Sequence, residues 1–350
     1  MKLLRIGLTH GDINGIGYEM LLKAMASPEI LEICTPVIFG IPEIAQLILD
    51  SMQMEEKPAF HVIRSAAEVA DGRINLVDIL AESEERNVPA LQAGQQTEAS
   101  LHAEADSLTL ALHAWTNHEI DTLVTLPGNL DNDAESHALC DFIQQALGGQ
   151  QNAFDWIMAG DKRMLELHPL ETNTELGLDV LREHLIKDIT DIHYSLRADF
   201  GDLRPRIALV SPLQQTESDV RNLQEQGIEV FGPIDPARFL NENCIDHYDA
   251  ALFLSANDTR RQLIASTEAG QRIGYVSSLP LVLTYPLVPV SYAQAGKDQA
   301  DAAPLREAIY AGIDIYRQRS RYRYATHNVL AKYWNPRGRD DFKLDLSKEE

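Results

Sequence analysis

The stretch Leu3-Leu4-Arg5-Ile6-Gly7-Leu8-Thr9-His10-Gly11-Asp12-Ile13-Asn14-Gly15-Ile16-Gly17-Tyr18-Glu19 decides the fold class. Its first six residues form a short apolar run with a β-branched member, the pattern of a buried strand. Beyond the loop, Met20, Leu21, Ala24 and Met25 recur at helical spacing, which predicts a helix from near Gly17. A strand, a glycine loop and a helix N-terminus together make a ready anion site. Gly11, Gly15 and Gly17 let the backbone take positive φ and approach another group closely. A tight β–α turn accounts for the same pattern, and both readings stand at this point. The dinucleotide fingerprint G-x-G-x-x-G cannot be written through Gly15 and Gly17.

Outward from this unit the alternation repeats. Strands are expected at Thr35–Gly40, Phe60–Ile63, Ile74–Asp78 and Asp121–Thr125, with helices over Pro42–Met54 and Gly94–Asn117. Pro42 suits a first helical turn. His102 and His113 lie on the second of these helices without the i, i+4 spacing of a ligand pair, and read as surface or packing residues. After Pro127 the alternation pauses in a polar segment. It resumes with a helix through Leu139, Phe142, Ile143 and Leu147, and a long amphipathic helix over Glu175–Asp199. Strands follow at Arg206–Pro212, Ile228–Pro233, Asp249–Ser255, Ile273–Val276 and Leu281–Thr284, then a last helix over Pro304–Arg319. Such alternation predicts an α/β fold with a mostly parallel sheet covered on both faces, and ligands at the carboxyl ends of the strands. The expected division is a first α/β domain, 1–130 plus 290–350, and a second, 131–289, with a cleft between them.

The chain has 350 residues, 45% of them hydrophobic, and a formal charge of -23. That charge opposes binding to nucleic acid or an anionic membrane, both of which need clustered Lys and Arg. Cys34, Cys140 and Cys244 are few, odd in number and without C-x-x-C spacing, so neither a disulfide framework nor a structural zinc site is expected. A cytoplasmic protein with no signal segment is the expectation.

Gly11-Asp12-x-x-Gly15-Ile16-Gly17-x-Glu19 resembles the opening of the 4-hydroxythreonine-4-phosphate dehydrogenase (PdxA) family of pyridoxal phosphate biosynthesis. Further stretches agree in order: Asp121-Thr122-Leu123-Val124-Thr125, Asp199-Phe200-Gly201, Pro205-Arg206-Ile207-Ala208, Phe231-Gly232-Pro233, Leu279-Pro280, Ala295-Gly296, and Ala308-Ile309-Tyr310 to Tyr316-Arg317. The resemblance implies a two-domain α/β/α protein of isocitrate/isopropylmalate dehydrogenase-like shape, forming a homodimer. It also implies NAD as hydride acceptor, a divalent metal held by three histidines, and a small phosphorylated substrate. Cofactor-side residues would be Leu279, Pro280, Thr284 and Gly296. Gly15, Gly17, Arg260, Arg261 and Arg272 are the candidates for an anionic group, and Asp12, Glu19 and His137 the remaining cleft candidates.

Position by position, the chemistry implied by the resemblance is replaced. Where the family has metal-binding histidines, this chain has Leu213 and Ala256, with Asn257 beside the latter; a third falls on His168 or, in an ungapped register, on Leu170. A substrate-side His-Thr pair becomes Leu139-Cys140, and an Arg becomes Leu283. Leu and Ala offer no donor to a divalent cation. No metal site is therefore expected beyond a remnant at His168. Two functions follow as expectations: the family's dehydrogenase with its activity lost or altered, or a non-catalytic paralogue that binds a ligand or partners an active homologue.

Overall fold

The computed structural model describes residues 3–83, 85–129, 138–148, 153–160, 162–167, 175–211, 216–241, 244–254 and 272–327. In chain order the strands are β1 (Leu4–Thr9), β2 (Cys34–Gly40), β3 (Phe60–Ile63), β4 (Ile74–Asp78), β5 (Thr122–Val124), β6 (Phe154–Ala159), β7 (Lys162–Glu166), β8 (Ile207–Val210), β9 (Val230–Ile234), β10 (Ala250–Phe253), β11 (Arg272–Ser277) and β12 (Leu283–Pro286). The α-helices are α1 (Gly17–Met25), α2 (Ile30–Ile33), α3 (Pro42–Ser51), α4 (Glu98–Thr116), α5 (Ala138–Ala146), α6 (Glu175–Asp199), α7 (Glu217–Glu225), α8 (Pro236–Asn241) and α9 (Ala303–Thr326). All twelve strands join one sheet, in the order β3-β4-β2-β1-β5-β12-β11-β6-β7-β10-β8-β9. Pairing is parallel except where β11 meets β12 and β6, and where β6 meets β7. The α/β class and the mostly parallel sheet agree with the sequence.

The opening unit forms as the pattern dictates. β1 lies between β2 and β5, with Ile6 and Leu8 fully buried, and every residue of β2 is buried. Burying side chains such as Ile6, Leu8, Val37, Ile38 and Phe39 contributes about 1.5–3 kcal/mol each. Eight of the nine residues of α1 are buried, so this helix sits inside the fold and its sequence carries few charges. At α4 the Thr97 hydroxyl accepts from the Ser100 backbone N–H while Ser100 returns a bond to the Thr97 N–H, a reciprocal cap that fixes the helix start.

Three local expectations need correction. The sequence reading has no strands between 148 and 175, yet β6 and β7 form an antiparallel hairpin there, turning at Gly160 with φ +65. β7 contains the adjacent charges Lys162 and Arg163, which hid it from a reading based on apolar runs. Their partners lie outside it: Lys162 pairs with Asp246, and Arg163 pairs with Asp202 and stacks over Phe200 at 4.2 Å. Second, β12 begins at Leu283 rather than Leu281, because the carbonyls of residues 279–281 face Arg319. Third, α9 runs on to Thr326, seven residues beyond Arg319, through a polar Arg- and Tyr-rich stretch without an apolar stripe. Among the described residues no helix is long and apolar enough to cross a membrane.

Candidate functional site

Successive strands from β1 step away on one side to β2, whereas the chain from β4 returns through α4 to place β5 on the other side of β1. The carboxyl ends of β1 and β5 therefore flank a topological switch point, where open α/β sheets bind ligands. The loop after β1 and the turn after β5 meet there, and the Asp12 N–H donates to the Pro127 carbonyl at 3.1 Å.

A polar cluster fills this position. Asp12 is fully buried, and its Oδ1 accepts from the Asn14 N–H at 2.8 Å. Its Oδ2 accepts from Asn129 Nδ2 at 2.7 Å, the Tyr292 hydroxyl at 2.5 Å and the Ser100 hydroxyl at 3.3 Å. Burial raises the Tyr292 pKa, and its bond to Asp12 raises it further, so the phenol stays protonated and acts as the donor. Glu104 on α4 accepts from the Asn129 backbone N–H at 2.9 Å. Asn14 ties the loop to the segment before α4, accepting from Gln92 N–H at 2.7 Å and donating to Thr97 Oγ1 at 3.2 Å.

The glycines allow close packing here. A Cβ on Gly11, which has φ +65, would lie 2.2 Å from the Pro127 carbonyl oxygen, and one on Gly17 would lie 2.2 Å from that of His10. A Cβ on Gly15 would meet Val290 at 2.5 Å. Of the loop N–H groups, Gly15 donates to the Asp12 carbonyl and Ile16 to that of Val290. Neighbouring atoms thus occupy the Cβ side of all three glycines, as a tight turn requires. His10 is buried, stacks on Tyr18 with centroids 5.1 Å apart, and donates from Nδ1 to the Gly11 carbonyl at 2.7 Å. Burial lowers its pKa to about 4, so the ring is neutral near neutral pH.

A cavity of about 10 Å³ is lined by Thr9, Gly11, Glu104, Thr125, Leu126 and Leu139, among others. That is about the volume one water centre needs. Leu139, which stands where the resemblance implies a histidine, is 4% exposed and forms part of its wall.

The other candidates separate. Glu19 is buried and accepts from the Gly296 N–H at 2.6 Å, so these two hold each other. Thr284 is buried within β12, and its hydroxyl donates to the Ala308 carbonyl at 2.8 Å. Both donors are engaged within the protein. Leu279 and Pro280 precede β12 while Gly296 follows it; the four strand residues alone span about 13 Å. Arg272 begins β11, opposite Ala159. His137, His168, Leu213, Ala256, Arg260 and Arg261 lie outside the described residues. Among the described residues no group of three His, Cys, Asp or Glu side chains is placed to hold a metal ion. The donor chemistry does not fit a three-histidine metal site either: Leu213 and Ala256 offer only carbon, and Asp12 is already engaged by four protein donors. Asn129, Glu104 and Tyr292 escaped the sequence reading. Asn129 had a signal in following a strand and Pro-Gly, whereas Tyr292 had none.

No family model matches the chain. It is 28% identical to the 4-hydroxythreonine-4-phosphate dehydrogenase of Bacteroides thetaiotaomicron over 98% of this chain and 97% of that one. The similarity runs along nearly the whole of both chains, at low identity. The solved enzyme structures from Klebsiella pneumoniae and Burkholderia phymatum superpose with TM-scores of 0.65 and 0.63, at 17% and 20% identity. Each match covers 90% of this chain and nearly all of the other, so the dehydrogenase fold is kept along the length.

Proposed function

We propose that this chain keeps the frame of the 4-hydroxythreonine-4-phosphate dehydrogenases and has lost their metal-dependent oxidation, acting as a non-catalytic ligand-binding protein or as the partner of an active homologue. The observation that carries this reading is the closed switch point. Asp12 is saturated by protein donors, and Leu139 walls a cavity of about 10 Å³. The replacements Leu213 and Ala256 support it from the sequence, since neither side chain can ligate a cation. Full-length identity of 28% to a relative named for the reaction favours a second reading, a working dehydrogenase on 4-hydroxythreonine 4-phosphate.

Purified protein incubated with 4-hydroxythreonine 4-phosphate, NAD and Zn²⁺ or Mg²⁺ separates the two. The first reading expects no NADH above the protein-free control; metal-dependent turnover establishes the second. Calorimetric titration with NAD tests cofactor binding on its own, and light scattering after size exclusion tests the homodimer expected from the family.

A further inference from the structure

A second cleft, of about 450 Å³, opens at the far end of β12 from the switch point. It lies between α6, α9 and the turn Ser278–Pro280, beside the strand start rather than its carboxyl end. Its floor is Arg319, which is 7% exposed and bonds Asp199 Oδ1 at 2.6 Å and the Tyr275 hydroxyl at 2.6 Å. The same guanidinium donates to the carbonyls of Leu279, Pro280 and Leu281 at 2.9, 3.2 and 3.3 Å. This floor is neutralised and closed, and it fixes the turn. Ser278 is held there at φ +61, uncommon for a residue with a Cβ, with its Oγ 3.4 Å from Ser195 Oγ.

The walls differ in character from the rest of the molecule. Lys187 and Arg323 line the cleft, and among the described residues neither has a carboxylate partner, although the chain has 53 acidic residues against 30 basic. Asp191 is the opposing acid. With the Asp199–Arg319 pair set aside, two cations against one carboxylate leave the lining with one net positive charge. Tyr194, 55% exposed and packed edge-on against Tyr322 at 5.7 Å, offers an aromatic surface beside them.

We propose that this cleft binds a small phosphomonoester. The volume falls in the range of small-molecule sites. An arginine fork, an ammonium and two hydroxyls supply more donors than a carboxylate's two oxygens use, and match the three oxygens of a phosphate. The site is separate from the switch-point crevice and stands whether or not the family reaction is retained.

Calorimetric titration of the full chain with glycerol 3-phosphate, inorganic phosphate and acetate tests it. The expected result is saturable one-to-one binding of the two phosphates and weaker binding of acetate. Lys187→Gln and Arg323→Gln each lower phosphate affinity about tenfold or more, the size of a lost charged hydrogen bond, and Asp191→Asn raises it. Arg321→Gln, on the same helix but outside this lining, leaves the affinity unchanged. No saturable binding to the unmodified chain overturns the proposal. So do acetate affinity equal to that of phosphate, wild-type affinity in the Lys187 and Arg323 variants, and an equal loss in Arg321→Gln.

Discussion

Replacing Asp12 by alanine asks whether the switch-point cluster holds the fold or is available for chemistry. The buried carboxylate accepts four hydrogen bonds. Hydrogen bonds to charged groups contribute about 1.5–3 kcal/mol each, but the four losses do not add in full. The single Ser100 hydroxyl proton is shared with the Thr97 carbonyl, the shorter contact at 2.9 Å, and stays satisfied there. The Tyr292 hydroxyl lies 3.0 Å from Asn129 Oδ1, and Asn129 Nδ2 lies 3.4 Å from Glu104, so both have a fallback partner. The Asn14 N–H has no such alternative. One stranded buried donor, two weakened bonds and the void left by the carboxylate make about 3–5 kcal/mol. Urea unfolding followed by tryptophan fluorescence measures the loss. Asp12→Asn keeps one acceptor oxygen but sets an NH₂ against other donors, and falls between wild type and alanine. An Asp12→Ala protein within about 0.5 kcal/mol of wild type refutes the reasoning, because a carboxylate that does not hold the loop is free for another role.

Arg319→Met strands the buried Asp199 carboxylate and the carbonyls of the 279–281 turn, and is expected to cost about 3–5 kcal/mol in the same unfolding assay. His10 makes stability depend on pH. Its folded pKa, about 4, lies below the unfolded value of 6.5, so its contribution is complete above pH 6.5 and is lost as pH falls toward 4. The loss is on the order of 3 kcal/mol across that window, seen as the difference between the wild-type and His10→Asn pH profiles, with no such step in the variant. Gly17→Ala sets a methyl 2.2 Å from the His10 carbonyl oxygen, which cannot swing aside as a side chain would; a loss of about 3 kcal/mol or more, or insoluble protein, is expected.

The regular parts of this fold were legible because their burial is one-sided or complete. β8 is apolar throughout, β2 apolar apart from Thr35, and both are buried throughout, so composition alone identified them. β7 was not legible, since its charges are satisfied by Asp246 and Asp202 from distant segments. The final third of α9 lacked an apolar stripe because residues there, such as Tyr324, project to solvent. For the site, the sequence gives residue types and the order of segments but not which end of a strand a residue occupies. Leu279 and Gly296, both placed on the cofactor side by the resemblance, stand on either side of β12.

The opening loop shows the same division. Sequence alone determined that a strand, a glycine turn and a helix stand there, since spacing and glycine content are local properties. It also determined which positions lack metal donors, because Leu213 and Ala256 are carbon in any fold. Tertiary structure decided what the glycines are for. Contacts more than a hundred residues away, with the Pro127 carbonyl, Val290, Asn129 and Tyr292, join the nearby His10 carbonyl in packing the loop. No local pattern in the sequence specifies those partners.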